Sequence, residues 1–126
     1  MSRDKIKKAR AASLTMSEQD RLEIKRLDSS PDETKTFEKA KLYNANFKGL
    51  TIGKAILQPG YVCEIDESCL TSHTFYMISG RMKLVMDDGT QDECGPGDVV
   101  MIPSGHNMSV IGNEPVVAIA FENYSK

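Results

Sequence analysis

The sequence predicts an all-β, antiparallel domain of the sandwich or barrel type, on three observations. From residue 35 onward the chain reads as about eight short β-like runs, set apart by Gly, Pro, Asn and Asp at regular spacing. Apolar and polar residues alternate most clearly in Arg81-Met82-Lys83-Leu84-Val85-Met86. There Met82, Leu84 and Met86 share one side, so one face of that strand has to be buried. No long helical stretch separates the runs and no segment repeats another, so parallel βαβ crossovers are excluded and the strands run antiparallel.

Along the chain, residues 1 to about 30 are polar. The opening MSRDKIKKARAASL is basic and alanine-rich, with features of a transit peptide or of a basic kinase site at Ser13, and is expected to be a solvated tail. Residues 17–27 (SEQDRLEIKRL) predict a short helix with Ser17 as N-cap and Leu22, Ile24 and Leu27 roughly on one face. The next seven residues, Asp28-Ser29-Ser30-Pro31-Asp32-Glu33-Thr34, collect side chains that bond their own backbone or fix φ, which marks a connector. Hence residues 1–33 are expected to form an extension and 34–126 the barrel domain.

The expected strands are KTFEKAKLY (35–43), LTIGKAILQ (50–58), YVCEI (61–65), TFYMIS (74–79), RMKLVMDD (81–88), DVVMIP (98–103), HNMSVI (106–111) and PVVAIAF (115–121). Asp87-Asp88-Gly89 supplies a tight turn. Around residue 75, Phe75 and Met77 share a side with His73, while Tyr76 and Ile78 face the other way.

Composition narrows the partners. With 40% hydrophobic and 27% charged residues the chain has a globular character, and no apolar run approaches the roughly 20 residues that span a bilayer. A net charge of -2, with both signs scattered, leaves no electrostatic footprint for nucleic acid. A small molecule is the expected partner. Cys63, Cys69 and Cys94 are odd in number, lack CxxC spacing, and follow a start without a secretory apolar stretch. The expectation is a reduced, cytoplasmic protein with no disulfide among them.

Gly60, Gly80, Gly97, Pro103 and Gly105 form a frame, since glycine frees φ and proline fixes it where a barrel turns its corners. GDVVMIPSGHNMSVIG keeps the spacing G-x5-P-x-G of the second cupin motif, and GYVCEIDESCLTSHTFYMISG keeps the Gly60, His73 and Gly80 spacing of the first. The chain therefore resembles the cupin superfamily over about residues 46 to 122, most closely in HTFYMISGRMKLVMDDGT. The resemblance implies an antiparallel jelly roll, the double-stranded β-helix, of the small RmlC-like kind.

The family's metal ligands are matched poorly. Its second-motif histidine falls on Met108 and the following asparagine on Gly112. Its first-motif His, His and Glu fall on Asp66, Ser68 and His73, or on Glu67, Cys69 and His73 in a shorter register. Two alternatives stay open. In one, His73 and His106 with Asp66 or Glu67, joined by Cys69 as a soft ligand, hold one divalent transition metal (Fe, Mn, Ni or Zn). In the other no metal is bound, His73 is a hydrogen-bonded interior residue and His106 a turn residue at the rim.

His106 lies two residues before Met108 and so faces the same side of an extended strand. Phe75, Met77 and Met108 are the expected ligand-lining residues, with core packing as the ordinary role of a strand methionine. His73 is the candidate catalytic group, as ligand or general base in an enzyme acting on a small carbonyl or acid metabolite. The competing function is a non-catalytic ligand-binding or sensing module. By analogy with small cupins, and because a lone barrel exposes edge strands, a homodimer is expected.

Overall fold

The computed structural model describes residues 21–63 and 69–123. They contain nine strands: β1 (Glu33–Phe37), β2 (Ala40–Phe47), β3 (Leu50–Leu57), β4 (His73–Ser79), β5 (Arg81–Met86), β6 (Gln91–Cys94), β7 (Val99–Ile102), β8 (His106–Ile111) and β9 (Val116–Asn123). All pairings are antiparallel, in a six-stranded sheet of order β1-β2-β3-β9-β4-β7 and a three-stranded sheet of order β6-β5-β8. This is the jelly roll that the resemblance to the cupin superfamily implied.

The side chains alternate as a two-faced strand requires. His73, Phe75 and Met77 of β4, Met82 and Leu84 of β5, and His106 and Met108 of β8 share the inward parity of their strands, and Phe75, Met77, Met82 and Met108 join the core. Across the middle of the larger sheet, Gly53 faces Ala120 and Ala55 faces Ala118. These small residues leave interior room that Phe75, opposite Ala120, and Met77, opposite Ala118, occupy.

Two corners explain part of the frame. At Gly80 the chain leaves one sheet for the other, with φ of 80°, and a Cβ there would lie 2.5 Å from the Pro115 carbonyl oxygen. No other residue fits without displacing β9. Gly105, with φ of 85°, turns the chain into β8 while its N–H donates to the Cys69 carbonyl at 2.8 Å.

Several expectations are corrected. The run 35–43 is two strands, because β1 and β2 form a hairpin whose turn places Lys39 at φ 109°. No Gly, Pro or Asn marks that turn, so its signal was missing. QDEC forms β6 although only Cys94 of the four is buried; its ladder with β5 supplies the order that its polar side chains conceal. YVCEI is no regular strand among the described residues: Val62 makes an isolated bridge to Ser109.

The helix expected over 17–27 is also absent where it is described. Arg21 to Leu27 are non-helical, Arg26 bridges Ser30, and Leu22 and Ile24 are 87% and 65% exposed. With no stripe buried, nothing offsets the entropy of forming a short helix. Ser13 and Ser17 lie outside the described residues. The connector is instead tied to the sheet: the Asp32 carboxylate accepts from Lys25 Nζ at 2.8 Å and from the Asn46 N–H at 2.7 Å, which holds its pKa below the ordinary value.

Candidate metal centre

β4 and β8 each begin with a histidine, and the pairing scheme brings those two strand starts to one end of the barrel. Tyr61, Cys63 and Cys69 of the connection between β3 and β4 bond to the otherwise free edge of β8. The Cys63 N–H donates to the Met108 carbonyl at 2.8 Å, the Val110 N–H to that of Tyr61 at 3.0 Å, and the Cys69 N–H to that of His106. Cys69 is thereby fixed against His106 by backbone bonding on both sides, since its own carbonyl accepts from Gly105.

The result is a cluster of Cys69, His73 and His106 whose candidate donor atoms all lie within 4.8 Å of one another. The two imidazoles meet edge to face, with centroids 5.3 Å apart and planes at 70°. Cys69 Sγ lies 3.6 Å from His73 Nε2 and 3.7 Å from the Thr71 carbonyl. Cys69 is 9% exposed and His73 half-buried.

His106 is the most constrained of the three. It is 0% exposed, which rules out the alternative of a turn residue at the rim. Its Nδ1 lies 2.6 Å from the Pro103 carbonyl, a distance at which only an N–H on Nδ1 is favourable. That bond leaves Nε2 with a lone pair, and Nε2 is buried with no hydrogen-bond partner among the described residues. An orphaned buried acceptor costs about 1–3 kcal/mol. A metal ion would relieve that cost, and a ligating histidine ordinarily bonds its other nitrogen to a carbonyl in this way.

His73 has its pKa lowered, first because burial disfavours the imidazolium and second because of the neighbouring His106; Glu122 acts in the opposite sense. A neutral ring is the form that can donate a lone pair. Glu122 escaped the sequence reading. It follows Val116, Ala118 and Ala120 on the inward parity of β9, and Ala120 pairs with Phe75, two residues from His73. Only the β4–β9 pairing could have revealed it.

The remaining sequence candidates divide clearly. Phe75, Met77 and Met108 are buried in the hydrophobic core. Asp66 and Glu67 lie outside the described residues. No disulfide joins any of the three cysteines, and burial chiefly pushes the Cys94 thiol up, which keeps it protonated and inert. A cavity of about 550 Å³ lies apart from the cluster, lined by Phe37, Glu38, Lys39, Gly60, Tyr61, Val62 and Cys63. No helix of the described residues is long and apolar enough to cross a membrane.

No protein-family model matches the sequence, and no curated protein matches it. Solved structures do. Lactobacillus farciminis oxalate decarboxylase in its formate complex superposes with a TM-score of 0.57 at 23% identity, covering 71% of this chain and 30% of that one. A variant of Bacillus subtilis oxalate decarboxylase gives 0.58 at 29% identity, covering 75% and 28%. A further structure of the Bacillus subtilis enzyme, from work on its Mn(II) centres, gives 0.57 at 29% identity with the same coverage. This chain spans less than a third of the length of each of these proteins. The jelly-roll topology, the glycine and proline frame at its corners, and this likeness in fold together make the chain a member of the cupin superfamily.

Proposed function

We propose that this cupin domain holds one divalent transition metal through Cys69, His73 and His106 and acts on a small carbonyl or carboxylic-acid metabolite in the barrel. The observation that carries the reading is the buried Nε2 of His106, unpartnered among the described residues and close to two other donors. The similar solved structures support the substrate class, since they are oxalate decarboxylases, one in complex with formate and one studied for Mn(II) centres. A bound ion would supply Lewis-acid polarisation of a carbonyl or carboxylate oxygen.

The chain's own residues have separate tasks. The Pro103 carbonyl holds the His106 ring in the tautomer that leaves Nε2 bare. His73, kept neutral by burial, serves as ligand or as general base. Phe75, Met77 and Met108 close the interior behind the donors and exclude water from it.

Metal-depleted full-length protein titrated with Zn(II), Co(II), Fe(II), Ni(II) and Mn(II) tests this. A ligand at a hundredfold its Kd stabilises by about 2.7 kcal/mol, so at least one ion should raise Tm by several degrees. No shift with any of them would remove the metal. The second reading is a binding or sensing module, favoured by the separate cavity beside Gly60 and Tyr61. Binding of small acids by the loaded protein without turnover selects it.

We also propose that two copies associate through the outer face of the larger sheet. Tyr76 and Ile78 of β4, Phe121 of β9, and Val99 and Met101 of β7, at 72% and 68%, are exposed there beside the free edge of β7. Light scattering at micromolar concentration that finds only the monomer mass refutes it. The free thiols fit the reducing cytoplasm as its compartment.

A further inference from the structure

We propose that this centre selects a thiophilic divalent ion, Zn(II) or Fe(II), and discriminates against Mn(II), because Cys69 contributes a thiolate beside the two imidazoles. The inference rests on the metal-binding reading above and gives it a chemical direction.

Three features of Cys69 carry it. Its backbone is tied on both sides to the start of β8, so its side chain is held against the two rings by structure and not by chance of rotamer. Its Sγ makes only the weak hydrogen bonds a thiol can make, 3.6 Å to His73 Nε2 and 3.7 Å to the Thr71 carbonyl, so neither engages the sulfur strongly. Its situation also differs from that of Cys94, which belongs to the hydrophobic core.

Donor chemistry then decides the metal. Among the described residues the group holds one sulfur and two nitrogens and no carboxylate. Thiolate with imidazole suits zinc and ferrous iron, whereas Mn(II) favours carboxylate, carbonyl and water and stands lowest in affinity for a given site among the first-row transition ions from Mn(II) to Zn(II). A carboxylate from Asp66 or Glu67 would add to the set without removing its sulfur. The orphaned Nε2 of His106 is the independent sign that a ligand belongs here at all.

Full-length protein freed of metal is titrated with Co(II) as a spectroscopic probe and then challenged with Zn(II) or Mn(II). Expected are a thiolate-to-cobalt charge-transfer band in the near ultraviolet, its loss on adding one equivalent of Zn(II), and its persistence in excess Mn(II). Cys69→Ser should abolish the band and weaken Zn(II) at least about tenfold, since losing even an outer partner of a ligand costs that much. Cys69→His, which exchanges sulfur for imidazole, should narrow the preference for Zn(II) over Mn(II). Metal-free melts of both variants show whether the fold is kept, and the wild-type competition decides the matter without them. Mn(II) binding as tightly as Zn(II), or Co(II) binding without the band, overturns the selectivity and leaves the metal site standing. No uptake of any ion overturns the site itself and the selectivity with it.

Discussion

The two ends of the barrel interior are lined by the same strands in the same parity, yet they differ in chemistry. Inward residues of β4 run His73, Phe75, Met77, and those of β8 begin His106, Met108. At one end stand the donors, Cys69 among them, with the exposed Glu122 within electrostatic reach of His73. At the other, Met77, Met82, Val116 and Leu57 are packed without a polar side chain among them. Position along a strand, and not choice of face, therefore separates function from stability. The apolar end supplies the burial that holds the sheets together, and the strand starts present rigidly placed donors.

Breaking the apolar end should have the largest effect. Met77→Ala removes a side chain with no exposure and leaves a cavity, so chemical denaturation should show a loss of about 2–5 kcal/mol. Metal uptake by the fraction still folded should stay within a few-fold of wild type. A loss below about 1 kcal/mol would mean that this end is not the stabilising one.

His106→Phe sharpens the contrast from the other side. The change keeps an aromatic ring but a larger one at a fully buried position, gives up the hydrogen bond to the Pro103 carbonyl, worth about 0.5–1.5 kcal/mol, and removes the cost of the unpartnered Nε2. Metal-free stability should fall by about 1–3 kcal/mol as the larger ring is accommodated, while the Tm response to metal disappears. A retained metal response would place the ion elsewhere.

The smallest effect concerns pH. His73 binds its proton more weakly folded than unfolded, so the unfolded chain carries more protons once pH falls below the ordinary histidine pKa of about 6.5. Stability of the metal-free protein should therefore decline as pH falls from 7 through that value towards the lower folded pKa, and His73→Gln should flatten the slope. Glu122 favours the charged ring, so Glu122→Gln should move the His73 titration midpoint, followed by NMR, further down. An unchanged midpoint would show that Glu122 exerts no field on His73.

Much of the scaffold was legible because its signals are local. Alternation in residues 81–86, the glycines and proline that turn corners, and the shared side of His73, Phe75 and Met77 are properties of neighbouring residues. The hairpin turn at Lys39 and the polar strand β6 were not legible, since one lacks turn residues and the other lacks a buried face along most of its length. The expected helix failed because helix formation needs a buried stripe, which a sequence window cannot supply by itself.

The site divides in the same way. The resemblance to the cupin motifs nominated Cys69 and His73, with Asp66 and Glu67 beside them, and strand parity with Met108 added His106. Which of them meet was decided by pairings between distant segments. From Val62 to Cys69 the connection advances seven residues while β8 moves only from Ser109 to His106, so no spacing rule could have set the register of Cys69 against His106. The sequence by itself determined an antiparallel β barrel with glycine corners, because backbone sterics and period-two burial act residue by residue. The tertiary structure alone decided that a thiol and two imidazoles converge, that one imidazole nitrogen is bare, and that the charge of Glu122 is felt at His73. Hydrogen-bonded register and burial arise only when strands far apart in the chain are laid side by side.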